Sequence, residues 1–149
     1  VTRLPQALMA LGLALFAVFA GAQALAARES TVSHADREAI RSVVQAQLVA
    51  LREDKAELAF SYATPEVQRK SGSPERFMAM VRQSYQPVYR PRAVFFQNVT
   101  LMDGVPIQRV LFLDRNGAAV MAVFPMQRQV NGAWKIAGCM LYDGNSNML

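Results

Sequence analysis

The stretch Ser73–Arg92, SPERFMAMVRQSYQPVYRPR, decides the fold, because the apolar period changes across it. Ser73-Pro74-Glu75 is a helix start: a hydroxyl N-cap, a Pro in the first turn where its missing N–H costs nothing, and an acid at the positive end of the dipole. Phe77, Met80, Val81, Ser84 and Tyr85 then fall on one helical face. Pro87 closes that pattern, since the residue before a proline avoids the helical region. After Pro91 the period is two.

Upstream of this stretch the sequence reads as helices. Ser33-His34-Ala35-Asp36 fits a capping box, and Ile40, Val43, Val44, Leu48 and Leu51 form one stripe behind it. Asp54-Lys55-Ala56-Glu57 is read as the start of a second helix. Thr64-Pro65-Glu66 starts a third, which Gly72 stops. Each helix buries only a stripe and needs a partner surface.

Downstream, four strand-like runs supply that surface. They cover 93–101, 107–113, 118–130 and 133–142, and they are separated by Asp103-Gly104, Asp114–Gly117 and Asn131-Gly132. Asn-Gly and Asp-Gly suit hairpins because both central residues can take positive φ. Pro125, inside the third run, predicts a bulge or an edge, because it cannot donate to the ladder. The fourth run is read as one strand, with Trp134, Ile136, Met140 and Tyr142 on one face and Ala137, Cys139 and Leu141 on the other. The last two runs are therefore apolar on both faces. Helices can cover one face. A second copy packed on the other, or a strongly curved sheet covered by its own helices, accounts for the rest.

Residues 1–27, VTRLPQALMALGLALFAVFAGAQALAA, read as a secretory signal: Arg3, an apolar run, and two A-x-A patterns that place cleavage near residues 24–27. A single domain over 28–149 would follow, in the periplasm or the medium, with membrane contact only during export. The formal charge is +5, and loss of Arg3 with a leader lowers it by one. That balance does not call for a nucleic-acid partner. One cysteine, Cys139, rules out an intrachain disulfide.

Helices followed by a curved antiparallel sheet that closes with Asn131-Gly132-Ala133-Trp134-Lys135-Ile136 resemble the nuclear transport factor 2-like superfamily. More closely, SPERFMAMVRQSYQPVYRPR and NGAWKIAGCMLYD resemble a bacterial family catalogued as domain of unknown function 4864. The resemblance spans about residues 36–144. It implies an α+β cone, in which N-terminal helices pack on a curved four-stranded antiparallel sheet. It implies no particular activity, because that superfamily holds enzymes, ligand-binding domains and interaction domains alike.

Enzymes of that fold place an Asp, Glu or His inside the cone as a general base. Here the strand interiors hold none; Asp103, Asp114 and Asp143 lie at turns or strand ends, and the single histidine, His34, lies beside a helix cap. Glu57 and Glu66 are left as candidates for a lyase or isomerase, and both also suit the first turn of a helix. One His and one Cys do not make a zinc site, there is no Gly-rich phosphate loop, and no cofactor is implied. Cys139 reads as a small buried hydrophobe.

Two binding readings remain. Arg82, Tyr85, Tyr89, Arg90 and Arg92 fall within eleven residues and would suit an anion or an aromatic ligand at the cone mouth. They also suit an architectural role, with the tyrosines plugging the core and the arginines lying over it or pairing with Glu75 or Asp143. Separately, Met78, Met80, Met121, Met126 and Met140 with Phe95, Phe96, Phe112 and Phe124 would line an apolar pocket or simply fill a core. The sequence thus points to a non-catalytic domain that binds a small apolar or anionic ligand or an envelope protein, with a homodimer through the sheet face as one of the two ways to cover that face. A lyase or isomerase acting in the cone is the alternative.

Overall fold

The structure is a computed structural model and describes residues 31–145. The signal expected over 1–27 lies outside the described residues. Among the described residues, five helices come first: α1 His34–Arg52, α2 Ala56–Ser61, α3 Pro65–Ser71, α4 Pro74–Ser84 and α5 Gln86–Tyr89. Five strands follow: β1 Ala93–Met102, β2 Val105–Leu113, β3 Ala119–Arg128, β4 Trp134–Ile136 and β5 Met140–Asp143. Every ladder between them is antiparallel, in the order β1-β2-β3, with β4 and β5 both on the far side of β3.

The helix starts form as their sequences dictate. Ser33 Oγ accepts the Asp36 N–H at 3.1 Å and donates to Asp36 Oδ2 at 2.7 Å. Thr64 and Ser73 cap α3 and α4, each with Pro in the first turn. Pro87 does not send the chain straight into a strand. It sits in the first turn of the short α5, where a missing N–H is again tolerated.

The sheet corrects two expectations. First, Asp103-Gly104 is the one two-residue turn of the three hairpins described, with φ of 50° and 77°. At Asp114–Ala118 and Gln129–Ala133 the loops have three residues, and only Gly117 and Gly132 take positive φ. Asn131 keeps negative φ, and its side-chain oxygen accepts the Ala133 N–H at 3.0 Å.

Second, the fourth run is two strands. Pro125 accepts the Ala137 N–H at 2.8 Å, so its own missing N–H faces that neighbour. With no donor there, the neighbour breaks over Ala137–Cys139, and the bulge falls in the partner of Pro125's strand. The break also shifts the alternation. Ile136 and Leu141 both pack on the main core, while Met140 and Tyr142 turn outward.

The main core lies between the helices and the inner face of the sheet, around Ile40, Val44, Leu51, Phe77, Val110, Phe112, Phe124 and Ile136. A second cluster, Ile107, Met121 and Val123 with Leu111, lies on the outer face. Both faces of β3 are thus buried within a single curled chain. Phe95, Met102, Met140 and Tyr142 remain exposed on the outer side. The segment after α2 seals the edge of β4: Thr64 N–H donates to Ile136 O and Ile136 N–H to Tyr62 O, each at 2.9 Å.

Candidate functional site

The helices do not fill the cone. A cavity of about 270 Å³ lies between them and the inner face of the sheet. Leu51 of α1, Phe77 and Val81 of α4, Val88 of α5, Phe124 of β3 and Ile136 of β4 make its apolar wall. Gln47, Tyr85 and Cys139 add polar or polarisable atoms, and Lys70, Ser71 and Met80 also line it. Lys70 is largely exposed, so the polar side of the cavity reaches solvent there.

Local sequence makes this space. The break in the last strand puts Gly138 in the wall, where an added Cβ would meet nothing within 4 Å. Ala63 contributes another short side chain. The polar groups inside are held in place. Gln47 Nε2 donates to Ala59 O at 3.1 Å, and Tyr85 Oη donates to Cys139 O at 3.4 Å. Burial pushes the Cys139 thiol up to about 12, so the sulfur is neutral and poorly nucleophilic.

The expected cluster divides. Tyr85 lines the cavity. Arg82, Tyr89 and Arg90 instead gather on Asp54, a carboxylate the sequence reading placed at a helix start. Asp54 lies between α1 and α2 at a φ of 56°. Arg82 reaches its Oδ1 and Arg90 its Oδ2, each at 2.8 Å, and the Tyr89 hydroxyl donates to Oδ1. Both guanidiniums also lie over the Tyr89 ring, at 5.6 and 4.8 Å. The Arg82 hydrogen bond, then the Tyr89 hydroxyl, hold the Asp54 carboxyl below the usual carboxylate range. The carboxylate these arginines find is therefore Asp54 and not Glu75 or Asp143. Arg92 stands apart, exposed at the start of β1 in a surface groove with Arg52.

Of the methionines and phenylalanines considered as a pocket lining, Met80 and Phe124 line it; Met121, Met140 and Phe95 belong to the outer face. Gln47, Ala63, Lys70 and Gly138 were not foreseen. Their placement depends on how the helices seat on the sheet, which no local pattern encodes. Glu57 and Glu66 are exposed, neither lines the cavity, and Glu66 pairs with Lys70 at 3.0 Å.

Residues 33–149 match the model of the family described as "Domain of unknown function (DUF4864)", and the chain belongs to that family. No curated protein matches the sequence. Among solved structures, the chain is similar to an NTF-2 like protein of unknown function from Burkholderia xenovorans LB400. The two are 16% identical, with a TM-score of 0.46, over 75% of this chain and 88% of that one.

Proposed function

We propose that this DUF4864 member binds a small, mainly apolar molecule with a polar or anionic end in the cavity between its helices and sheet. The observation that carries the reading is the cavity itself: about 270 Å³ of space with an apolar wall and a few fixed polar groups. That volume exceeds the ~150 Å³ that accepts benzene and approaches the ~300 Å³ of the smaller ligand pockets. It suits a molecule of about ten non-hydrogen atoms. Leu51, Phe77, Val81 and Phe124 would hold the apolar body, and Lys70 is placed to meet the charged end. The exposed Glu66–Lys70 pair is worth only ~0–1 kcal/mol, so Lys70 can exchange that partner for a ligand. The leader-like residues 1–27 support a site of action in the periplasm or the medium.

Octanoate, octanol and octylamine are suitable probes for calorimetry. Octanoate should bind best of the three, and Gly138→Leu should abolish binding without lowering the melting temperature, since its side chain enters open space. If none of the three binds, or if binding survives Gly138→Leu unchanged, the cavity is not the site.

A further inference from the structure

We propose that two copies of this chain join edge to edge, β1 against β1, into one continuous antiparallel sheet. The partner is a second copy, and the inference is independent of what the cavity holds.

β1 is an edge strand of ten residues, AVFFQNVTLM, without a single charge, Pro or Gly. Natural edges are usually guarded by charges, Pro or a bulge, because an open row of N–H and C=O groups is a template for pairing; of these, β1 carries only the bulge between Phe96 and Val99. Val94 and Leu101, near its two ends, are 39% and 37% exposed.

The direction of the backbone groups follows from the ladders. Ala119 and Pro125 accept from Gly144 and Ala137, so the odd residues of β3 aim at β4 and β5 and the even ones at β2. The Phe124–Gln108 pairing then aims even residues of β2 at β3 and odd ones at β1. On β1, Phe95 opposite Leu111 and Thr100 opposite Ile107 therefore turn toward β2. Val94, Phe96, Val99 and Leu101 aim outward. None of these four makes a backbone hydrogen bond outside the β1–β2 ladder to another described residue.

This outward set matches itself. A twofold axis between Gln97 and Asn98 sets Val94 opposite the second copy's Leu101 and Phe96 opposite its Val99. Both members of each pair aim outward, and both lie on the inner face of the sheet, as their partners Phe112, Pro106, Val110 and Gln108 show. The twofold axis passes through the bulge between Phe96 and Val99, so each copy carries its extra residue at the centre of the join. The same register brings Arg92, just before β1 with its N–H donating to Leu113 O at 2.8 Å, near Asp103 in the second copy's β1–β2 turn, twice per dimer. Neither has an ion-pair partner among the described residues.

Sedimentation equilibrium of the purified protein tests the proposal. The wild type should have the dimer mass. Arg92→Asp should weaken the dimer about tenfold, and adding Asp103→Arg should restore it. Leu101→Pro removes an N–H that β2 does not use, so it should give a folded monomer. If that variant fails to fold, the charge exchange decides. Val94→Cys with Leu101→Cys should form an interchain disulfide; within one chain the two positions are ~23 Å apart and cannot bridge. A monomer at about 100 µM overturns the proposal. So does a dimer indifferent to Arg92→Asp but dissociated by Met140→Lys, which would place the contact on the outer sheet face.

Discussion

Two aspartates act as clasps, and each joins parts of the chain distant in sequence. Asp36 Oδ1 accepts from Arg128 at 2.9 Å and from the Trp134 indole at 3.2 Å, tying the start of α1 to the β3–β4 hairpin. Asp54 ties the end of α1 to α4 and α5 through Arg82, Tyr89 and Arg90. Both carboxyls are held below the usual range, Asp36 first by the Ser33 hydroxyl and Asp54 first by Arg82. The unfolded chain, with its aspartates near ~3.9, binds these protons at higher pH than the folded one. Stability should therefore be at full strength above about pH 5 and fall as pH drops through about 4 toward the lowered folded values. Melting temperatures recorded from pH 3 to 7 check this. Asp54→Asn should flatten the acid limb; an unchanged slope would mean that Asp54 is not clasped in solution. The Asp36 cap was legible from Ser33-His34-Ala35-Asp36, but its bonds to Arg128 and Trp134, nearly a hundred residues away, were not. Asp54 was read as part of a helix start, since Asp-Lys-Ala-Glu is a sound one; it instead closes α1 in the left-handed conformation, its N–H donating to Leu51 O at 3.1 Å and the Lys55 N–H to Ala50 O at 2.9 Å. Cys139 should stay unmodified by iodoacetamide at pH 8 in the folded protein, because burial keeps it a thiol. Rapid labelling would mean that the wall around it opens.

At the level of elements, the period change at Ser73–Arg92 and the turn residues located four of the five described helices and the three hairpins, while the short α5 around Pro87 was read as the end of the helical pattern. Proline at 125 announced an irregularity whose position could not be read, because the missing N–H acts on the neighbouring strand. The break there decides which side chains face inward. It turns Met140 out, keeps Ile136 and Leu141 in, and places Gly138 at the cavity. Trp134 is half-buried, with its ring against the core and under Arg128 at 5.3 Å. Trp134→Ala should cost about 2–4 kcal/mol in urea unfolding, from lost packing and the lost bond to Asp36. A loss below about 1 kcal/mol would mean that the hairpin is not docked on α1. Gly144 answers to close approach: an added Cβ would lie 2.6 Å from the Ala119 carbonyl carbon. Gly144→Ala should therefore loosen the β3–β5 pairing, seen as faster amide exchange at Met121 and Val123, and unchanged exchange there would refute the contact.

For the molecule as a whole, the α+β architecture was legible because two periodicities divide the chain near Arg92 and short turns leave little choice of topology. The cavity was not legible. The same apolar residues describe a filled cone and a hollow one, and the difference lies in small side chains at Ala63 and Gly138 that no pattern marks. The outer face was legible as apolar, and curling alone buries Ile107 and Val123 there. Its exposed remainder, Phe95, Met102, Met140 and Tyr142, keeps a face-to-face pair as the rival to joining through β1. The account's central claim is that the cavity binds. A methyl-resolved NMR titration with octanoate tests it most directly. The methyl signals of Leu51, Val67, Val81, Val88 and Ile136 should shift together and saturate, while those of Ile107, Leu111 and Val123 stay in place. Shifts confined to the outer-face methyls, or none at all, would contradict it.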